Sequence, residues 1–231
     1  MNRPIRVVVI DSGVHAGHTH VNGVSGGIGI DSVGSCHADF VDRLGHGTAV
    51  AAAIREKAPA AEILIAKVFD RELAATGLAL VAACEWAIGQ RADIVNLSLG
   101  TTNQEHARPL SSVVGRLRAG GAAVVAAGAQ DGVLWLPGTL AGAWSVTIDW
   151  TLPRDECRVV TVNDREASFL ASGLPRPIPG VPPERNLKGL SFAVANVTGL
   201  LAALFDRGHE TDPADALARA VAAGWMSPPR R

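Results

Sequence analysis

Three residues far apart in this 231-residue chain are of types that together move protons and form acyl bonds: an aspartate, a histidine and a serine. Asp11 ends a short β-branched run at residues 5–10 and is followed by Ser12-Gly13, a turn. In open α/β sheets chemistry gathers beyond the carboxyl ends of strands, where a carboxylate can orient an imidazole. His46 stands between Gly45 and Gly47, just ahead of an alanine-rich helix former at 49–57. The positive end of a helix favours the neutral imidazole that a base needs, and flanking glycines let another chain approach closely. Ser191 follows Gly189-Leu190 and opens an apolar run, 192–205, that reads as a buried helix. A hydroxyl in a first helical turn is exposed, and its own N–H is unpaired at the positive pole, where an oxyanion would develop. Each residue also has a plainer reading: a turn aspartate, a packing or capping histidine, a serine cap.

The elements that must position these residues alternate along the chain. Short apolar runs at 5–10, 62–68, 93–99, 122–127 and 145–149 read as buried strands, with shorter extended pieces at 158–163 and 167–170. Residues 73–90 and 109–118 read as helices, the second with Pro109 in its first turn. Alternation of this kind predicts an α/β fold, a mostly parallel β-sheet flanked by helices, and the length suits a single compact domain over 1–231. Residues 174–189 hold five of the 13 prolines and read as a stiff loop that delivers Ser191. Thr211-Asp212-Pro213 is expected to cap a last amphipathic helix running to about Trp225, and Pro228-Pro229-Arg230-Arg231 reads as a frayed tail.

Composition narrows the function. Hydrophobic residues are 48% and charged residues 19%, as in folded rather than disordered chains. The 21 basic and 22 acidic side chains leave a net charge of -1 with no basic stripe, which argues against nucleic acid as a partner. No apolar run approaches the roughly 18–20 residues of a membrane span, and the residues after Met1 enter a strand directly, with no room for a signal peptide. Cys36, Cys84 and Cys157 are odd in number and at no metal-like spacing, so a reducing, cytoplasmic location is expected. His15, His18 and His20 lack partners at a zinc spacing, no acidic loop suits calcium, and the glycines of 23–29 lack the spacing of a dinucleotide loop. No metal and no cofactor is expected.

The order aspartate, histidine, serine, with these flanks, resembles the subtilisin-like serine peptidases. Val9-Ile10-Asp11-Ser12-Gly13 is similar to the family's aspartate block, with His18 matching a histidine that commonly follows it. Gly45-His46-Gly47-Thr48 resembles the histidine block and residues 189–199 the serine block. Asn96-Leu97-Ser98-Leu99-Gly100 is similar to the strand that pairs with substrate and walls the pocket for the residue before the scissile bond; Ala126-Ala127-Gly128 resembles the opposite wall. Leu136-Pro137-Gly138 and 146–149 match weaker blocks. The resemblance implies that Ser191 attacks the carbonyl, His46 serves as base and then acid, and Asp11 holds the imidazole tautomer. It also implies a peptide or protein substrate lying extended along Ser98, Leu99 and Gly100, with Ala126, Ala127 and Gly128 opposite. Walls of such small residues permit a roomy pocket.

The departures matter as much. The family usually places asparagine after the glycine matched by Gly128, completing the oxyanion hole; this chain has Ala129. Losing such a donor costs about 10²–10³ in turnover, far less than losing the nucleophile. Gln130, one residue on, carries an amide that can stand in. Leu190, Phe192 and Ala195-Asn196 replace threonine, methionine and proline-histidine, and Ala49 replaces a second histidine. Without an inhibitory pro-segment or export signal, the expected task is selective processing of a peptide precursor inside the cell. Two classes stay open: a serine endopeptidase, and a catalytically weak or inactive module that binds extended peptides through the Ser98–Gly100 edge. An esterase or acyl transferase would share the same acyl-enzyme.

Overall fold

β-Branched side chains at Val7, Val8, Val9 and Ile10 are fully buried on both faces of β1 (Arg6–Asp11), an inner strand of a nine-stranded sheet. The structure, a computed structural model, describes residues 3–163, 166–207 and 212–225. Two parallel neighbours flank β1: β4 (Glu62–Lys67) places Ala66 beside Ile10, and β5 (Ile94–Leu97) places Leu97 there. Beyond β5 come β6 (Ala123–Ala127), β9 (Ala143–Ile148) and β11 (Ala167–Ala171), all parallel, then the antiparallel edge strand β10 (Cys157–Val162). Beyond β4 lie β2 (Gly26–Ile30), parallel, and β3 (Cys36–His37), antiparallel. The chain thus adds strands to one side of β1 first and to the other side afterwards. That reversal opens a crevice over the carboxyl ends of β1 and β5.

Alternation along β1 assigns the two helical layers. Val7 and Val9 join the cluster containing Ala51 and Ile54 of α1 (His46–Lys57), Val194 and Leu201 of α4 (Leu190–Arg207), and Leu217 of α5 (Pro213–Ala222). Val8 and Ile10 join Leu80 of α2 (Gly77–Gly89) and Val114 of α3 (Ala107–Ala119) on the opposite face. The apolar run in α4 is the innermost helix: Val194, Val197 and Leu201 are fully buried, each contributing roughly 1.5–3 kcal/mol.

One expectation is revised. The helix read at 73–90 starts only at Gly77, because the Thr76 hydroxyl accepts the Ala79 N–H (3.1 Å) and caps it there. Two stretches with no element assigned from the sequence hold strands. Residues 14–39 contain β2 and β3, and after Gly128 comes a hairpin, β7 (Ala129–Gln130) with β8 (Val133–Leu134), turning through Asp131-Gly132 at φ 51 and 78. At the start of α5 the carboxylate of Asp212 accepts the N–H groups of Ala214 (2.7 Å) and Asp215 (3.4 Å); Thr211 and the 228–231 tail lie outside the described residues. No helix among the described residues is long and apolar enough to cross a membrane.

Candidate active site

Asp11 ends β1 with its side chain fully buried, and His46 opens α1 on the neighbouring chain segment. Gly47 permits the approach: a Cβ there would collide with the Gly13 carbonyl and lie 3.2 Å from Asp11 Oδ1. His46 Nδ1 donates to Asp11 Oδ1 at 2.7 Å, so the proton sits on Nδ1 and the Nε2 lone pair is free to accept another. The same oxygen accepts the Ser12 N–H (2.7 Å). Burial pushes the His46 pKa down, but the hydrogen bond and charge of Asp11, helped by the charge of Asp42, outweigh it, and the net direction is up. The Phe192 ring, 5.6 Å from the imidazole centroid to centroid, backs it.

Asp42 is a residue the sequence reading passed over. Its carboxylate is 3% exposed and accepts five hydrogen bonds. Oδ1 takes the Ser12 hydroxyl and the N–H groups of Leu44 and Gly45; Oδ2 takes the N–H and hydroxyl of Thr48. Desolvation pushes its pKa up, yet these donors hold it below the usual carboxylate range. Ser12 in turn accepts the Gly47 N–H (2.8 Å), so one buried anion ties the turn after Asp11 to the first turn carrying His46. The available signal was an acidic residue just ahead of a helix start.

Ser191 is the second residue of α4, and its N–H has no acceptor among the described residues. Its hydroxyl donates to the Ser98 carbonyl (2.9 Å), while the Ser98 hydroxyl donates to the Ser191 carbonyl (3.1 Å); the Ser191 hydroxyl makes no hydrogen bond to His46. A second tier fixes the same two elements: Asn96 Nδ2 donates to Ser98 Oγ (2.8 Å), and Thr198 Oγ1 donates to Asn96 Oδ1 (2.9 Å). Asn96 and Thr198 are fully buried, and nothing in their local sequence marked them as partners 102 residues apart. Asn196 holds the other approach to Ser191, donating to the carbonyls of Ser172 (2.8 Å) and Leu174 (3.1 Å).

His46, Ser191, Ser98, Leu99 and Gly100 line one cleft of about 290 Å³, together with Leu73–Gly77 and His106. Gly128 lies beyond β6 and pairs with Val146, and Ala129 and Gln130 form β7. The Gln130 amide oxygen is buried without a hydrogen-bond partner. Trp135 touches both small-residue walls: its backbone N–H donates to the Gly128 carbonyl (2.9 Å), and a Cβ on Gly100 would lie 3.0 Å from Trp135 Cβ and 3.5 Å from its indole Cε3. The Trp135 ring thus stands against the Gly100 wall.

The chain is similar to known proteins over most of its length. The model of the Subtilase family matches residues 2–152, a span that includes Asp11 and His46 but ends before Ser191. The Minor extracellular protease Epr of Bacillus subtilis (strain 168) is 31% identical over 180 residues, covering 73% of this chain and 27% of that protein. Subtilisin E of the same organism is 28% identical over 209 residues, covering 85% of this chain and 52% of that protein. The chain thus spans about a quarter to a half of the length of these relatives. Among solved structures, the Prenylagaramide maturation protease PagA superposes with a TM-score of 0.69 at 25% identity, over 96% of this chain and 83% of that one.

Proposed function

Because the chain belongs to the subtilase family, we propose that it is a serine endopeptidase that cleaves extended peptide substrates through Asp11, His46 and Ser191. The observation that carries this reading is the buried 2.7 Å hydrogen bond between Asp11 and His46, opening into the cleft that Ser191 also lines. In the proposed cycle His46 Nε2 takes the Ser191 proton as Oγ attacks the substrate carbonyl, then gives it to the leaving amine. Water attacks the acyl-enzyme with the same imidazole as base, releasing the acid and restoring the hydroxyl. Before attack the Ser191 hydroxyl must exchange the Ser98 carbonyl for His46. The Ser191 N–H, at the start of an 18-residue helix, is one oxyanion donor; the side-chain amide of Gln130 serves as the other in place of the absent asparagine.

Trp135 supports a small residue, glycine or alanine in size, on the acyl side of the scissile bond. Such selectivity suits a maturation task, and the structural relative PagA is named a Prenylagaramide maturation protease. Three free cysteines suit a reducing, cytoplasmic location. A fluorophosphonate probe tests the reading: wild-type protein should be labelled at Ser191, with labelling lost in Ser191→Ala and reduced on the order of 10³-fold or more in His46→Ala. Folded wild-type protein that takes no label would refute it. One observation favours a second reading, a peptide-binding module without turnover: the Ser191 hydroxyl rests on Ser98 rather than His46. That module would bind extended peptides yet neither label nor cleave.

A further inference from the structure

A second cavity, of about 380 Å³, shares no lining residue with the cleft described above and lies against Gly45 and Thr48, which flank His46 in the chain. Its floor is the first turns of α1, at Gly45, Thr48 and Ala49; one wall is the loop carrying His18 and His20, and the other is the 174–189 loop. Two arginines clamp the 20–23 stretch of the first wall. Arg55 donates to the carbonyls of Val21 (3.0 Å) and Gly23 (3.1 Å), and Arg176 donates across the cavity rim to the His20 carbonyl (3.0 Å). Ala49 contributes only a methyl group where a larger side chain would fill the space.

Position and charge give this cavity a role. A peptide whose acyl part lies along Ser98–Gly100 reaches Ser191 from the first cleft. Its leaving part must then continue past His46 on the other side, toward Leu187 and Thr48. The groups waiting there are cationic or donors. The guanidinium of Arg185 lines the cavity and has no carboxylate partner among the described residues. Arg176 faces it with Glu56 3.9 Å away, but Glu56 is already engaged by Arg154 and Lys57. His18 Nδ1 accepts the His20 N–H (3.2 Å), which leaves its Nε2–H as a donor. The 174–189 loop carries Arg176, Arg185 and Lys188 against Glu184, three positive charges to one negative. Ile178, Val181 and Leu187, 43%, 37% and 47% exposed, add an apolar rim.

We propose that this cavity is a leaving-side subsite that takes a carboxylate, from an acidic side chain just beyond the scissile bond or from the substrate's own C-terminus. The proposal rests on the peptidase reading for the direction of the peptide, and on the two arginines for its chemistry.

The test uses peptides with one common alanine-ended acyl side and Glu or Gln at each of the first three leaving-side positions, each with a free or amidated C-terminus. Cleavage by the wild-type protein gives kcat/KM, and fluorescence anisotropy with Ser191→Ala gives binding without turnover. The expected result is a preference of about three- to tenfold for Glu over Gln at one position, or for the free over the amidated end, which separates the two carboxylate sources. The preference should fall toward one in Arg185→Gln and invert in favour of Gln over Glu in Arg185→Glu. Cleavage with Glu and Gln peptides, free and amidated, all within twofold would overturn the subsite and leave the peptidase reading standing. So would a preference that Arg185→Gln leaves unchanged. No cleavage, with carboxylate-dependent binding to Ser191→Ala, would overturn the peptidase reading and keep the carboxylate site; no cleavage and no such binding would overturn both.

Discussion

Replacing Asp42 with asparagine isolates what one buried anion does for the site. The amide oxygen can take over the three donors now on Oδ1, from Ser12, Leu44 and Gly45, but the amide NH₂ then faces the Thr48 N–H and hydroxyl. The Thr48 hydroxyl can rotate to accept; the Thr48 N–H cannot, and becomes an unpaired buried donor at about 1–3 kcal/mol. Three charge-assisted bonds also become neutral ones, so the total is about 2–4 kcal/mol at pH 7. The pH dependence has a sign. Asp42 is held below the usual carboxylate range, so its contribution is present above the unfolded pKa of about 4 and is lost as pH falls through the depressed native value. Urea unfolding of wild type and Asp42→Asn should differ by about 2–4 kcal/mol at pH 7 and converge at acid pH. The charge of Asp42 also raises the His46 pKa, so the acid limb of the activity profile should move to lower pH in the variant. A gap below about 1 kcal/mol at pH 7, or one that persists unchanged into acid, would refute the assignment.

Further outcomes follow from the same geometry. The proposed cycle requires neutral His46, whose pKa is raised by Asp11 and Asp42 against the effect of burial, so wild-type kcat/KM should fall as pH drops, with its half-point above about 6.5. A half-point below that value, measured with a neutral peptide, would exclude His46 as the base. Trp135→Ala should raise cleavage after phenylalanine relative to alanine by about tenfold or more, and an unchanged ratio in matched peptides would remove Trp135 from the pocket. Gln130→Ala should lower kcat by about tenfold or more with little change in KM, as expected for a donor used only by the oxyanion; full turnover in this variant would remove Gln130 from that role.

The sequence made Asp11, His46 and Ser191 legible because each sits at an element boundary whose local residues announce it. A β-branched strand ends at Asp11, glycines bracket His46, and an apolar helix begins at Ser191. The supporting network was not legible, since Asn96 meets Thr198, and Ser98 meets Ser191, only once β5 and α4 are packed together. β2 was hidden for a different reason. Gly26, Gly27 and Gly29 carry no strand propensity, yet the bare backbone is needed there, since a Cβ on Gly27 would meet the Phe40 ring at 2.8 Å and one on Gly29 would collide with His37. Trp135 escaped notice because wall residues were read by size, while its approach to Gly100 depends on the hairpin turning at Asp131-Gly132.

The proline content of the loop that delivers Ser191 bears on self-digestion. Residues 174–189 run exposed along much of their length, and such segments are where proteolytic nicking begins. A peptidase that reads extended backbone at Ser98–Gly100 needs substrate N–H groups in strand register. Five of these 16 residues are prolines, which supply none and fix their own φ. On the proposed mechanism the segment leading to Ser191 is thus a poor substrate, so autolysis should begin elsewhere, and the same residues that stiffen the approach to Ser191 would guard the molecule's working lifetime.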